Sequence, residues 1–157
     1  LQEPSVDRAY DRLQRWERRG NGETVDGLRR ELQQVMEHYC GVFRGQEVLD
    51  QGVAKVIEIE RRLEDVHLRD HSKVFNTARI EALELENLVD IALAAVTSAA
   101  ARHESRGAHS RVDHPRRDDQ HWLRHSLYFK DGRRLDYKPV RMKPLTVESF
   151  PPTERVY

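Results

Sequence analysis

Residues 102–119 read RHESRGAHSRVDHPRRDD and gather arginines, carboxylates, three histidines and a glycine into one short stretch. A run of this kind is ordinarily a solvated face. This one follows directly on an alanine-rich apolar run and precedes Trp122, so it can also join the apolar element to something beyond it. Elsewhere, His121 and His125 stand four apart, as do His67 and His71, a spacing that on a helix puts two imidazoles within reach of one metal ion. A third ligand at matching geometry is not evident, and 121–125 runs into strand-like sequence, so these histidines read as surface or hydrogen-bonding groups. Cys40 lies near His38, as a thiol nucleophile lies near its base, but both fall at a helix end beside Tyr39, where a small buried residue is the commoner finding. GNGETVDG at 20–27 is the nearest approach to a phosphate loop. It lacks the G-x-G-x-x-G spacing and a preceding strand, and reads as a helix break.

The elements that position these residues follow from periodicity. Val6, Tyr10, Leu13 and Trp16 recur at helical spacing until GNG at 20–22 interrupts them. Leu28, Leu32, Val35, Met36 and Tyr39 form a second stripe, with Thr24 or Asp26 as N-cap and Gly41 as stop. Leu49, Val53, Val56, Ile59, Leu63 and Val66 step by three and four without a break, defining a third helix. Asn76 caps a fourth over 77–102, about 38 Å long at 1.5 Å per residue. In it Ile80, Leu83, Leu88, Ile91, Ala95, Val96 and Ala99 are expected to face the core, although IALAAVTSAAA is apolar on nearly every side. The four stripes are expected to bury one another. After residue 102 the pattern alternates: Leu123, His125, Leu127 and Phe129 share one strand face, and Asp131-Gly132 is a two-residue hairpin turn. Pro139, Pro144, Pro151 and Pro152 keep the tail extended.

The predicted fold is therefore mainly α: an antiparallel bundle of three to four helices over residues 1–105, followed over 106–157 by a charged linker, a small β-hairpin near 123–142 and an extended tail packed on the bundle. Lys+Arg and Asp+Glu number 27 each, so the formal net charge is zero and neither nucleic acid nor an anionic membrane surface is called for. Only five of the basic residues are lysines, which favours bidentate pairing and planar stacking over simple solubilising charge. A lone cysteine excludes an internal disulfide, and no apolar run reaches the roughly 20 residues that span a bilayer. The chain opens on LQEPSVDRAYDRLQRW without an initiator Met, as a segment of something longer would.

FRGQEVLDQG, FNTARIEALELENL, ESRGAHSRVDHPRRDDQHWLRHSL and the terminal FPPTERVY resemble, in order and spacing, successive landmarks of the succinate dehydrogenase/fumarate reductase flavoprotein family, in its C-terminal helical region and tail. The Glu-Ser-Arg-Gly segment, Glu104 to Gly107, is shared with fumarate reductases, and the Phe-Pro-Pro ending with Arg155 and Tyr157 favours succinate dehydrogenase. The resemblance implies a parent subunit that oxidises succinate to fumarate with FAD, passes electrons through an iron–sulfur subunit to quinone, and sits peripherally on the cytoplasmic side of the inner membrane. It places the flavin-binding and capping domains upstream, so no catalytic, cofactor-binding or metal residue carries over onto these 157 positions. The expected role is structural: docking to the upstream domains and the iron–sulfur subunit. A fumarate reductase segment and an independent helical interaction module are the alternatives.

On that reading the docking candidates are Glu104, Arg106, Gly107, His109, Arg111, Asp113, Asp118, Asp119 and Trp122. Interleaved charges can pair locally or across a boundary. Gly107 permits a positive φ or a close backbone approach. Trp122 serves equally as an interface anchor or as the core of the hairpin.

Overall fold

The computed structural model describes residues 4–17, 22–151 and 153. Helices α1 (Pro4–Arg15), α2 (Val25–Tyr39), α3 (Gln46–Arg62) and α4 (Thr77–Ala101) are followed by the single turn α5 (Asp119–Trp122). Two-residue strands β1 (Phe43–Arg44) and β2 (Ser110–Arg111) pair in parallel, while β3 (Arg124–Phe129) and β4 (Arg134–Pro139) form an antiparallel hairpin.

The caps expected from sequence are made. The Thr24 hydroxyl accepts from the Gly27 amide at 3.1 Å, and the Asn76 carboxamide oxygen accepts from the Arg79 amide at 2.8 Å. Asn76 also donates to the Asp70 and Ser72 carbonyls, closing the loop that turns the chain into α4.

Polar contacts reveal the helix directions. Arg62 at the end of α3 bridges Glu23, just before α2, and Glu31 in its first half, so those helices are antiparallel; Arg29 of α2 donates to the Glu81 carbonyl near the start of α4, so α2 and α4 run together. Between them lies one core: Leu28, Leu32 and Val35 of α2, Leu49, Val56 and Ile59 of α3, and Ala82, Leu85, Val89, Leu93 and Val96 of α4. Gly52 of α3 is buried against the ends of α2 and α4. A Cβ there would lie 2.7 Å from the Tyr39 Cβ and 3.2 Å from a Val96 methyl.

The structure corrects three side-chain expectations. On α4, Val96 and Ala99 are buried and Leu83 is partly so, but Ile80, Leu88 (43% exposed), Ile91 (65%) and Ala95 face outward. A helix apolar on nearly every side offers several stripes of helical period. Packing against α2 and α3 selects Ala82, Leu85, Val89, Leu93 and Val96. On α1, Val6, Tyr10 and Leu13 are exposed, and of the expected stripe Trp16 alone is buried. Arginines hold this helix to α4: Arg12 reaches Glu86, Asn87 and the Leu83 carbonyl, and Arg15 pairs with Glu86. On the hairpin, the inward face carries Arg124, Ser126 and Tyr128 while His125, Leu127 and Phe129 point outward. Tyr128 packs against the bundle core, and a one-residue choice of face inverts the whole strand.

The hairpin turn also differs. Phe129 pairs with Arg134, so residues 130–133 form a four-residue loop in which Gly132 (φ 73°) and Arg133 (φ 48°) are left-handed. Residues 141–151 carry no regular structure, and Leu145, Val147 and Phe150 are exposed. Gly20 and Asn21 of the GNG break, and Pro152, Arg155 and Tyr157 of the tail, lie outside the described residues.

Candidate docking site

The charged segment folds onto the end of the bundle. Its centre is Arg111, 1% exposed and placed by the pairing of β2 with β1. The guanidinium donates to both carboxylate oxygens of Asp113 at 2.7 Å, to the Gln46 side-chain oxygen at 2.8 Å, and to the Ala99, Ala100 and Arg102 carbonyls at 3.1–3.3 Å. Those carbonyls are at the C-terminus of α4, where a helix has acceptors without intrahelical donors and a partial negative charge.

Asp113 completes the opposite end of the neighbouring helix. Gly45 gives α3 no side-chain cap, and the Asp113 carboxylate instead accepts from the Gln46 amide at 2.9 Å. The Arg111–Asp113 pair thus sets a cation on the C-terminus of α4 and an anion on the N-terminus of α3, each matched to its helix dipole. The Arg111 guanidinium, with the Gln46 amide, holds the Asp113 carboxyl well below the usual carboxylate range.

Glu104 is the second buried charge, with no exposed surface. It accepts from Arg102 at 2.9 Å, from Arg106 at 2.7 and 3.0 Å, and from the Asp118 amide at 2.8 Å. Burial pushes its carboxyl up. The bonds from Arg106, the Asp118 amide and Arg102 outweigh that, and Glu104 titrates below its ordinary value. Arg106 extends the network to Asp119, which also pairs with Arg117.

Gly107 and Ala108 are the central residues of a tight turn in which the amide and carbonyl of Arg106 and His109 bond reciprocally at 2.9 and 3.0 Å. The positive φ of Gly107 (59°), at the first central position only, is that of a II′ turn, where glycine is preferred. His109 lies beyond it, with Nε2 3.2 Å from the Arg102 carbonyl and Nδ1 2.8 Å from an Arg44 nitrogen. A neutral ring protonated at Nε2 satisfies both contacts. Burial lowers the His109 pKa and the Arg102 carbonyl opposes that, while the positive charges of Arg44, Arg111 and Arg102 lower it further.

Trp122 is buried at the start of the hairpin, edge-on to Tyr137 at 5.6 Å and to His103 at 6.0 Å. The side chain of Asp118 accepts from the Gln120 and His121 amides and caps α5. His121 bonds to Asp118 at 2.8 Å on this turn while His125 lies on β3, and His67 and His71 follow the last turn after α3, so neither pair occupies one helix face. Cys40 is a half-buried C-cap whose thiol pKa is raised by burial.

The structure brings eight candidates into one network or its flanks: Glu104, Arg106, Gly107, His109, Arg111, Asp113, Asp118 and Asp119. Trp122 adjoins it through the ring of Arg102 contacts. Sequence reasoning missed the framework partners Arg44, Gln46, Arg102 and Ser105. The Ser105 hydroxyl accepts the Arg111 amide and donates to the His114 carbonyl, each at 2.8 Å. The available signal was the RGAH turn itself, a Gly-X pair of the II′ kind, which folds 102–106 back against 109–113.

The antiparallel bundle with its hairpin is a fold that this chain shares with solved fumarate reductase structures. An E. coli quinol fumarate reductase variant superposes with a TM-score of 0.81 at 33% identity, over 94% of this chain and 26% of that one. The family described as fumarate reductase flavoprotein C-term matches residues 29–157, and the chain belongs to this succinate dehydrogenase/fumarate reductase flavoprotein family. The succinate dehydrogenase flavoprotein subunit of Coxiella burnetii is 46% identical over 150 residues, which are 96% of this chain and 25% of that protein. The fumarate reductase flavoprotein subunit of Mycobacterium tuberculosis is 40% identical over 139 residues, 87% of this chain and 23% of that protein. The chain thus spans about a quarter of the length of the curated relatives it matches.

Proposed function

We propose that these residues are the C-terminal helical part of a flavoprotein subunit that oxidises succinate to fumarate, in which FAD takes the hydride and an iron–sulfur subunit carries electrons on to quinone. The observation that carries this reading is the 46% identity to a succinate dehydrogenase flavoprotein subunit along 96% of the chain. Within that subunit the present residues brace and dock, and the chemistry belongs to the upstream flavin-binding and capping domains. Residues 1–105 act as the brace, and 106–157 as clasp, hairpin and arm.

The donor chemistry supports placing the flavin elsewhere. A dinucleotide needs a glycine-rich turn and a free helix N-terminus for its pyrophosphate. The α3 N-terminus already holds Asp113, and α2 and α4 are capped by Thr24 and Asn76, so these ends do not fit that group. Arg102, Glu104, Arg106, Arg111, Asp113 and Asp119 are committed to ion pairs within the segment, which suits rigidity over proton transfer.

Among the described residues no helix is long and apolar enough to cross a membrane. The subunit is placed peripherally, on the cytoplasmic side of the inner membrane, through its partners. The test is direct. The full-length subunit should reduce a dye with succinate and carry flavin, and a deletion of 104–119 should lower co-purification of the iron–sulfur subunit. Turnover in the opposite direction only, with fumarate reoxidising a pre-reduced viologen dye and succinate reducing none, would place the subunit with the fumarate reductases instead.

A further inference from the structure

Arg124 occupies a groove of about 540 Å³ between the end of α4, α5 and the hairpin, lined by Arg102, Arg106, Trp122, His125 and Val140 among others and by no acidic residue. Its guanidinium carbon is 4.6 Å from the centre of the Trp122 ring and 3.9 Å from that of Tyr137. Ser126 opposes Tyr137 across the hairpin, so Arg124 and Tyr137 meet on the inward face. The aromatic faces fix the guanidinium plane and leave its edge as the way in.

Within the groove, Arg124 differs from Arg102 and Arg106 in lacking an anion. Arg102 is spent on Glu104, on the Trp122 and Arg124 carbonyls and on the Ser126 hydroxyl. Arg106 is spent on Glu104 and Asp119. Arg124 forms no ion pair among the described residues, and its buried Nε has no hydrogen-bond partner. By contrast, the larger cleft between α1, α3, α4 and the hairpin loop carries its own carboxylates, with Arg12 and Arg15 paired to Glu86, Lys130 to Asp90 and Arg133 to Glu60. A buried donor edge is costly to leave unmade, and a guanidinium fork held in one plane matches a carboxylate bidentately.

We propose that Arg124 receives an Asp or Glu side chain from the part of the subunit outside these 157 residues, with Trp122 and Val140 walling the groove around it. The proposal rests on the docking reading and names its chemistry. An acidic segment is favoured because Arg124 has no ion-pair partner among the described residues in a lining that holds no acidic residue, and because about three quarters of the relatives' length lies outside the matched region.

The experiment uses the full-length subunit with a photo-cross-linking residue, Val140→p-benzoylphenylalanine, at the groove edge, and His125→p-benzoylphenylalanine as a second position in case the first disturbs folding. The expected product joins the groove to a peptide outside residues 1–157 that contains Asp or Glu. Its yield should fall about tenfold with Arg124→Gln and less with Arg124→Lys, since a charge-assisted bidentate pair is lost in the first and weakened in the second. Circular dichroism of each variant establishes that the bundle is intact. A yield indifferent to Arg124→Gln, a cross-linked peptide without an acidic residue, or no product from either position overturns the proposal. The same cross-linker at exposed Phe43, beside the β1–β2 pairing, separates the two ideas. A product there with none from the groove sinks the Arg124 site and leaves docking standing, and none from any position sinks both.

Discussion

Arg111→Met removes the guanidinium from the end of the bundle while keeping a side chain of similar length. Asp113 then loses both charge-assisted bonds, and the Ala99, Ala100 and Arg102 carbonyls lose a shared donor. Breaking a buried pair by deleting one partner costs about 3–5 kcal/mol. The Asp113 side chain is partly open to water, which moves the expectation to the lower end, about 3 kcal/mol. For a chain of this size that lowers Tm by about 6–12 °C. Denaturant unfolding followed by circular dichroism gives the free energy, and Asp113→Asn completes a double-mutant cycle while keeping an acceptor for the Gln46 amide. The double variant should lose at least about 1 kcal/mol less than the two single losses added together. The loss should also vary little with ionic strength, unlike that from the exposed Arg30–Asp26 pair. A loss below about 1 kcal/mol, or strictly additive single effects, would refute the claim that this pair clasps the two helix ends.

Gly52→Ala sets a methyl 2.7 Å from the Tyr39 Cβ, which cannot swing away. The overpacking cost of about 1–3 kcal/mol should exceed the helix-propensity gain of about 1 kcal/mol, giving a net loss in denaturant melts, and a stabilised variant would contradict the close approach. Gly107→Ala meets no atom within 4 Å, so its cost is the left-handed backbone alone, about 1–2 kcal/mol. Gly107→Glu should cost similarly, leave the bundle folded and lower co-purification with the iron–sulfur subunit, and unimpaired co-purification removes Gly107 from the docking surface. His109 is held neutral in the fold and its pKa lies below the unfolded value of 6.5, so the unfolded chain takes up a proton first as the pH falls. Stability should therefore be full above pH 6.5 and decline below it, and His109→Gln should flatten that slope; a slope unchanged by the substitution would show that His109 does not carry it.

The helix positions were legible because capping and spacing are local. Thr24, Asn76 and the stripe from Leu49 to Val66 specify where α2, α3 and α4 lie with no knowledge of their neighbours. Which side of α4 turns inward was not legible, since Ile80, Leu88 and Ile91 have the same period as Leu85, Val89 and Val96 and only the packing of α2 and α3 separates the two stripes. The hairpin misled for a related reason: Arg124 and Tyr128 bury through stem and ring while Leu127 and Phe129 stay outside, so polarity alone named the wrong face. The charged segment was recognisable as a unit. Its internal wiring was not, because Arg111 finds Gln46 and the end of α4 only after β1 and β2 have paired.

The central claim, that these residues brace and dock a flavoenzyme without performing its chemistry, is tested most directly on the chain itself. Purified and incubated with FAD and succinate, it should unfold cooperatively as a colourless helical protein and reduce no dye above the buffer rate, because hydride transfer needs a flavin held against an oriented dicarboxylate and the buried charges Glu104 and Arg111 are already held in ion pairs. Stoichiometric flavin absorbance after removal of free FAD, or succinate-dependent dye reduction by the chain alone, would contradict the account and place catalysis in the segment assigned here to docking.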